Sequence, residues 1–595
     1  MQTLVTNDNI TQVIKSIFDS PAVGFDTETY GTEFDDMPFA LQFAIPGQQF
    51  YFNLHDYRDN TPVINRYRVV HKLREIFNQE DKIWYIHNAK FDMRRADLLD
   101  MPIKGHIHCT QTCERFINNQ YIQYKLSACA KRRGWSKDDA VDDYIKEHKL
   151  WEWYLPPGKK TRKKKKHFHL VPFDIMFKYG CIDAELALRI GQDQREQLIN
   201  EEYYTNDMEL QKTAYAMEKV GMEVRREYAT KAYEYEMGMV EQKRYHLSEL
   251  AGTPYKTGPN WLRATFDKFD VPYQTNTKTG NPIFDKEALE LIDHPIADEV
   301  RQFRKHEKYA GTYYATYKEA EVVHAQIKLH GTDTMRFSYA DPNLQNVPKE
   351  EELDLNIPYQ VRACFKPRED YCYVMVDFDQ QEFRLLLDYA GEHELIRRIN
   401  DDGEDVHQAT ADMVGVTRKM AKTLNFGLLY GMGAEKLAKQ LKVSTMEAKS
   451  IKRQYFARLP KVKRLINQII STAENRKYIK TWCGRKLFFP NKDFAYKAPN
   501  HLIQGGCADI ARFAMPEIDR RVLNGMRSRL CLQVHDELLF EIHKTELEIV
   551  DAIVDIMENT YEPFNNMRLT CGVEHSWRSW GKRYVIEGKP IPEAG

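Results

Sequence analysis

Residues Tyr371 to Val376 form an apolar run that ends at Asp377 and continues as DFDQQEFRLLLDYAGEHEL. This is the pattern of a buried strand that delivers a carboxylate to the edge of a sheet shortly before a helix begins. Far downstream, LCLQVHDELLFEIH sets two apolar half-strands around His535, Asp536 and Glu537, the pattern of a hairpin with acids at its tip. A fold that gathers these segments brings carboxylates together, and carboxylates repel unless a cation lies between them. The chain is therefore constrained to a sheet built from distant segments around what is, in outline, a two-metal site.

Between the two acids lies RKMAKTLNFGLLYG, in which Arg418, Lys422, Phe426 and Tyr430 recur at every fourth residue. On a helix these two cations and two rings share one face, suited to phosphates and to stacking on a base. Taken together, DFDQQEFR, RxxxKxxxFGxxYG and QVHDEL closely resemble motifs A, B and C of the family A (DNA polymerase I type) DNA polymerases, in that order. The resemblance implies a right-hand polymerase in which a primer 3′ hydroxyl attacks the α-phosphate of a deoxynucleoside triphosphate. Two Mg²⁺ ions, with Mn²⁺ as a substitute, would serve each active site, here at Asp377 and Asp536. The resemblance gives the β and γ phosphates to Arg418 and Lys422, with Lys422 also the proton donor to the leaving group. It gives base stacking to Phe426, a place in the nucleotide site to Phe378, and exclusion of a ribose 2′ hydroxyl to Tyr430 and Glu382. Glu537 follows as an acid near the metals and His535 as a contact to the primer end.

Composition sets looser bounds. The chain has 595 residues, with 86 Lys plus Arg against 87 Asp plus Glu. That length suits several domains, and the charge balance means that any DNA surface is local. Scattered cysteines without paired spacing fit a reduced intracellular protein, and His106, His108, Cys109 and Cys113 lack the spacing of a common zinc site. The opening MQTLVTNDNITQ is not a signal peptide, and no long uncharged apolar stretch follows. The expectation is a cytoplasmic protein, in the host cytoplasm if phage-encoded, with no membrane role.

At the start of the chain, PAVGFDTET puts Asp26 and Glu28 two residues apart on a strand, hence on one face. KIWYIHN then runs into AKFDMRRADLL and Asp92, and PFDIMFKYGCIDAELALRI sets Tyr179 and Asp183 one helical turn apart. DxE, NxxFD and YxxxD, in this order, resemble the ribonuclease-H-like proofreading exonuclease of DNA polymerases. By that resemblance Asp26, Glu28, Asp92 and Asp183 hold two divalent ions, Tyr179 orients the attacking water, and the 3′-terminal phosphodiester is hydrolysed. The basic segment Lys159 to Lys166 reads as an exposed loop, either simply solvated or a phosphate-gripping arm beside this site.

The resemblance divides the chain into an exonuclease domain (1–200), a thumb (201–330), a palm (331–390 and 497–595) and fingers (391–496), a multidomain α/β and α+β architecture. It implies DNA contacts at Lys308 in the thumb, at Arg336, Asn343, Gln345 and Asn346 in GTDTMRFSYADPNLQNVP, at Arg485 in TWCGRKLFFP and at Gln504 in NHLIQGGCADIAR. Two residues depart from the family pattern. Met335 replaces a Gly, and Asp379 replaces a Ser; Asp379 is expected to cap the next helix or to join the metals as a third carboxylate. The chain starts directly with the proofreading segment, without a 5′ nuclease, and its thumb has no large insertion. In this it resembles phage replicative enzymes, whose partners would be primer-template DNA and replisome proteins such as a helicase or a single-strand binding protein. A degenerate accessory subunit would have lost some of these carboxylates, and a single-subunit RNA polymerase would lack the proofreading motifs and Glu382.

Overall fold

The computed structural model describes residues 1–595 except 58, 60, 138, 156–161, 350–357, 430, 581–583, 587–588 and 592–595. Near the N-terminus, strand Ala22–Thr29 lies inside a six-stranded sheet, between Pro38–Ile45 and Ile83–Ile86. It runs antiparallel to Pro38–Ile45 and parallel to Ile83–Ile86. Phe25, Phe43, Phe77 and Trp84, all fully buried, fill one side of this sheet. The long helix Phe173–Leu198 crosses the other side, and its approach depends on a missing side chain. A Cβ on Gly24 would lie 2.1 Å from the carbonyl oxygen of Ala184, so only glycine lets the helix sit this low. That closeness is what carries Asp183 to the strand that bears Asp26 and Glu28.

The second sheet is antiparallel throughout and ordered Arg529–Val534, Glu537–His543, Tyr371–Phe378, Cys571–Ser576. Tyr371–Phe378 is thus an internal strand, with Asp377 opposite Glu537 on one side and Gly572 on the other. Cys372, Val374 and Val376 on one face and Tyr373 and Met375 on the other are all buried, as expected of a strand covered on both faces. The Cys571–Ser576 strand has no signal in the sequence, because its mostly exposed residues lack an apolar run.

One expectation needs correction. Residues Lys163–Lys166 do not lie in a loop; they form a strand paired antiparallel with Trp151–Tyr154. The lysines tolerate one another because successive side chains leave opposite faces and find partners: on one face Lys164 lies 3.9 Å over the Trp151 ring and Lys166 is 2.6 Å from Asp142, and on the other Lys163 is 3.5 Å from Asp341. Most of the remaining segment, 156–161, lies outside the described residues. The helix Glu202–Val220 packs on the helix Ala498–Ile518 and the residues after it: Asp207 accepts from Arg512 at 2.8 Å and Thr213 donates to Asp519 at 2.8 Å. A separate core lies beyond it, where Val240, Leu247, Phe266, Val300 and Phe303 cluster.

Candidate active sites

Asp26, Glu28 and Asp183 each offer a carboxylate oxygen within 4.8 Å of the others. Asp92, fully buried nearby, points its carboxylate toward Thr27, whose hydroxyl donates to it at 2.7 Å. Burial, and then the neighbouring Asp92, Asp183 and Glu28 charges, hold the Asp26 carboxyl well above its ordinary range. Burial followed by the Asp183 charge pushes Glu28 up to about 8, and burial pushes Asp92 up to about 7. A buried cluster of acids this reluctant to ionise alone suits divalent cations, and Asp183 Oδ1 is a buried acceptor without a hydrogen-bond partner. The residues present therefore fit the metal pair that the motifs imply.

Sequence reasoning missed Lys137. It lies between helices Leu126–Arg132 and Ala140–Glu147, outside every motif, and its ammonium bonds Asp183 and, at 3.1 Å, the Tyr179 hydroxyl. Nothing in KRRGWSKDD distinguishes this lysine from its solvated neighbours; only the folded chain does.

At the second site, the hairpin tip is tight. Val534 pairs with Glu537, so His535 and Asp536 form a two-residue turn, and His535 takes a left-handed φ of +59°. Phe378 N donates to the Asp536 carbonyl at 3.2 Å, which fixes the two acid-bearing segments side by side. The Asp536 carboxyl is raised to about 7, first by loss of hydration in the cleft and then by the Asp377 charge. Asp377 Oδ1 is again a buried oxygen without a partner, while Oδ2 is 3.2 Å from Lys349 Nζ. Here too the donor set fits divalent cations. Glu537, opposite Asp377 on the neighbouring strand, reaches the same Lys349 ammonium at 3.7 Å and also accepts from Trp580 Nε1 at 3.2 Å and faces Arg362 at 3.6 Å. Phe378 is buried by its side chain, so it reaches the site through its backbone.

Arg418, Lys422 and Phe426 share one face of the helix Arg418–Leu429, with both cations exposed. Arg418 is held bidentately by Asp405, at 2.9 and 2.8 Å, and Asp405 also caps the helix Val406–Val414 through Gln408 N. Tyr430 lies outside the described residues. Glu382 pairs with Arg336, and Arg336, Gln345, Gln504 and His535 line one cleft of about 400 Å³. Lys308, Asn343 and Asn346 line a separate, larger cleft of about 990 Å³, together with Lys163 and Arg94.

Two further expectations fail. Arg485 is 1% exposed and ion-paired to Asp509 at 2.6 Å and Asp207 at 2.7 Å, so its guanidinium is enclosed and does not face a template. Asp379 is not a helix cap: Gln380, at φ +53°, precedes the helix Gln381–Ala390, and the Asp379 carboxylate accepts from Thr570 at 3.0 Å. Met335, where the family pattern has Gly, takes a left-handed φ of +62° that glycine adopts without strain, while Met335 is 1% exposed.

Comparison with known proteins bears directly on these two sites. The family model for DNA polymerase family A matches residues 226–582, and the model for 3′-5′ exonuclease matches residues 1–199. DNA polymerase DpoZ of Salmonella phage PMBT28 is 30% identical, over 87% of this chain and 89% of its own. The thermostable DNA polymerase I of Thermus thermophilus is 30% identical over 67% of this chain, and DNA polymerase I of Treponema pallidum is 27% identical over 86%. This chain spans only about half the length of those two bacterial relatives, 51% and 52%. The solved POL domain of Pol1 from M. smegmatis, in complex with DNA primer-template and dNTP, shares the fold with a TM-score of 0.80 and 22% identity over 97% of this chain and 99% of that one. Matched over most of its length and carrying both acid clusters, the chain belongs to the family A DNA polymerases, with a 3′-5′ exonuclease domain ahead of the polymerase domain.

Proposed function

We propose that this chain extends the 3′ end of a primer-template with deoxynucleotides at Asp377 and Asp536, and removes 3′-terminal nucleotides at Asp26, Glu28, Asp92 and Asp183. Divalent cations, Mg²⁺ or Mn²⁺, held at each carboxylate set would supply the Lewis acidity that activates the attacking oxygen and neutralises the departing one. The observation that carries the reading is the recurrence, in two separate clusters of acids, of a buried carboxylate oxygen without a hydrogen-bond partner, at Asp183 on the helix over the first sheet and at Asp377 on the second sheet. Lys422 and Arg418 present positive charge toward the incoming triphosphate, Arg418 leaving Asp405 as it does so, and Phe426 stacks on the base. Arg336, Gln345, Gln504 and His535, which share a cleft, hold the primer end and the minor groove, where amides meet acceptors common to every correct pair. Glu382 and Tyr430 exclude the ribose 2′ hydroxyl. In the nuclease site Tyr179 aligns the attacking water.

Similarity over nearly its whole length to a phage DNA polymerase favours genome replication, with replisome proteins as partners, over a repair role. Among the described residues no helix is long and apolar enough to cross a membrane. The test is separation of function. Asp26→Ala with Glu28→Ala should abolish 3′ to 5′ degradation and leave primer extension near normal, while Asp536→Ala should do the reverse. Loss of both activities from either change, in folded protein, would overturn the assignment.

A further inference from the structure

Three carboxylates, from Asp26, Glu28 and Asp183, meet in the nuclease site, and Asp92 adds a fourth charge beside them. Two divalent ions would balance them and leave the single negative charge of a bound phosphodiester without a partner. Lys137 has the position to answer that charge. Its side chain is only 15% exposed, its Nζ bonds Asp183 and the Tyr179 hydroxyl, and it lies 4.3 Å over the Tyr179 ring. Burying an ammonium stem here is costly unless the site uses it, and a solvated alternative was open to a lysine on this connection between helices.

We propose that Lys137 is a positioning residue of the exonuclease: a permanent cation that fixes Asp183 and Tyr179 and balances the charge that the scissile phosphodiester brings in. The inference rests on the assignment of the Asp26 cluster as the nuclease site. In hydrolysis the water oxygen bonds to phosphorus as the bond to the 3′ oxygen breaks. That oxygen leaves as a hydroxyl, and the water's displaced proton passes to solvent. Charge builds on the phosphoryl oxygens midway, so a fixed cation is worth more then than in the ground state. Without DNA, the same ammonium occupies Asp183 and competes with divalent ions for it.

The test uses the full chain carrying Asp377→Asn and Asp536→Asn, so that divalent binding reports the nuclease site, with Lys137→Gln, Lys137→Arg and Asp26→Ala/Glu28→Ala made in that background. Single-turnover hydrolysis of labelled single-stranded DNA at saturating Mg²⁺ should slow at least about tenfold in Lys137→Gln. Lys137→Arg, which keeps the charge, should recover part of that loss. Calorimetric Mn²⁺ binding to the DNA-free protein should be unchanged or tighter in Lys137→Gln, because a competing ammonium is gone. Hydrolysis by Lys137→Gln at the parent rate overturns the proposal. So does equal loss in both lysine variants accompanied by weaker Mn²⁺ binding and a lower melting temperature, which marks a purely structural lysine. If the parent itself fails to degrade DNA, the nuclease assignment falls and this proposal with it. If the parent degrades DNA and the Asp26→Ala/Glu28→Ala protein does not, the nuclease assignment stands and the two lysine variants decide the role of Lys137 by themselves.

Discussion

Replacing Arg485 should unfold the polymerase body at a lower temperature and leave DNA binding almost untouched. Arg485 Nε bonds Asp509 Oδ1 at 2.6 Å, and Nη2 lies 2.7 Å from Asp207 Oδ2, with all three side chains at most 1% exposed. Burial pushes the guanidinium's pKa down, and the Asp207 and Asp509 charges more than reverse that, so the group stays charged. Removing one partner of a buried pair costs about 3–5 kcal/mol, because the charge left behind has lost both water and its counter-ion. The lower end applies here, since Arg512 still holds Asp207 at 2.8 Å and Thr481 still donates to Asp509 at 2.6 Å. About 3 kcal/mol corresponds to a fall of roughly 6–12 °C in the melting temperature of a large domain. Scanning calorimetry of Arg485→Met in exonuclease-deficient protein reads this directly, and a salt series of primer-template binding by anisotropy reads the alternative. An Arg485 that touched the template backbone would lower the salt slope by about one on substitution and leave the melt unchanged. A melting temperature within about 1 °C of the parent together with that flatter slope would refute the structural reading.

Other consequences follow from single residues. Met335→Gly relieves a left-handed backbone worth about 1 kcal/mol but deletes a buried side chain worth about 2–5 kcal/mol, so a net loss of stability is expected; a more stable variant in denaturant titration would show that the strain dominates. Without divalent ions, folding raises Glu28 from 4.5 to about 8, so the native state binds the extra proton between those values and stability falls as pH rises through them. Mn²⁺ binding should accordingly release protons and tighten as pH rises toward 8, and a pH-independent affinity in calorimetry would contradict the clustering of these acids. Asp379→Asn keeps an acceptor for Thr570 and removes the charge, so the Mg²⁺ dependence of primer extension should not move; a higher Mg²⁺ requirement with an intact melt would place Asp379 among the metal groups after all.

The sequence by itself determined which carboxylates lie at strand ends and which residues share a helix face, because those relations depend on local period alone. Asp26 with Glu28, Tyr179 with Asp183, and Arg418 with Lys422 and Phe426 are spacings of two, four and four residues, legible before any fold is known. The tip of the hairpin at His535 and Asp536 was legible for the same reason: two apolar half-strands leave only the polar residues between them to turn. What only the tertiary structure decided are the partners chosen across the chain. Lys137 and Lys349 find Asp183 and Asp377 from segments without a pattern, Arg485 turns inward because Asp207 arrives on a helix nearly 300 residues earlier in the chain, and Asp379 turns to Thr570. A lone charged side chain looks the same in sequence whether it meets water, DNA or a buried counter-ion. Desolvation separates these cases, and desolvation exists only once the surrounding elements have packed.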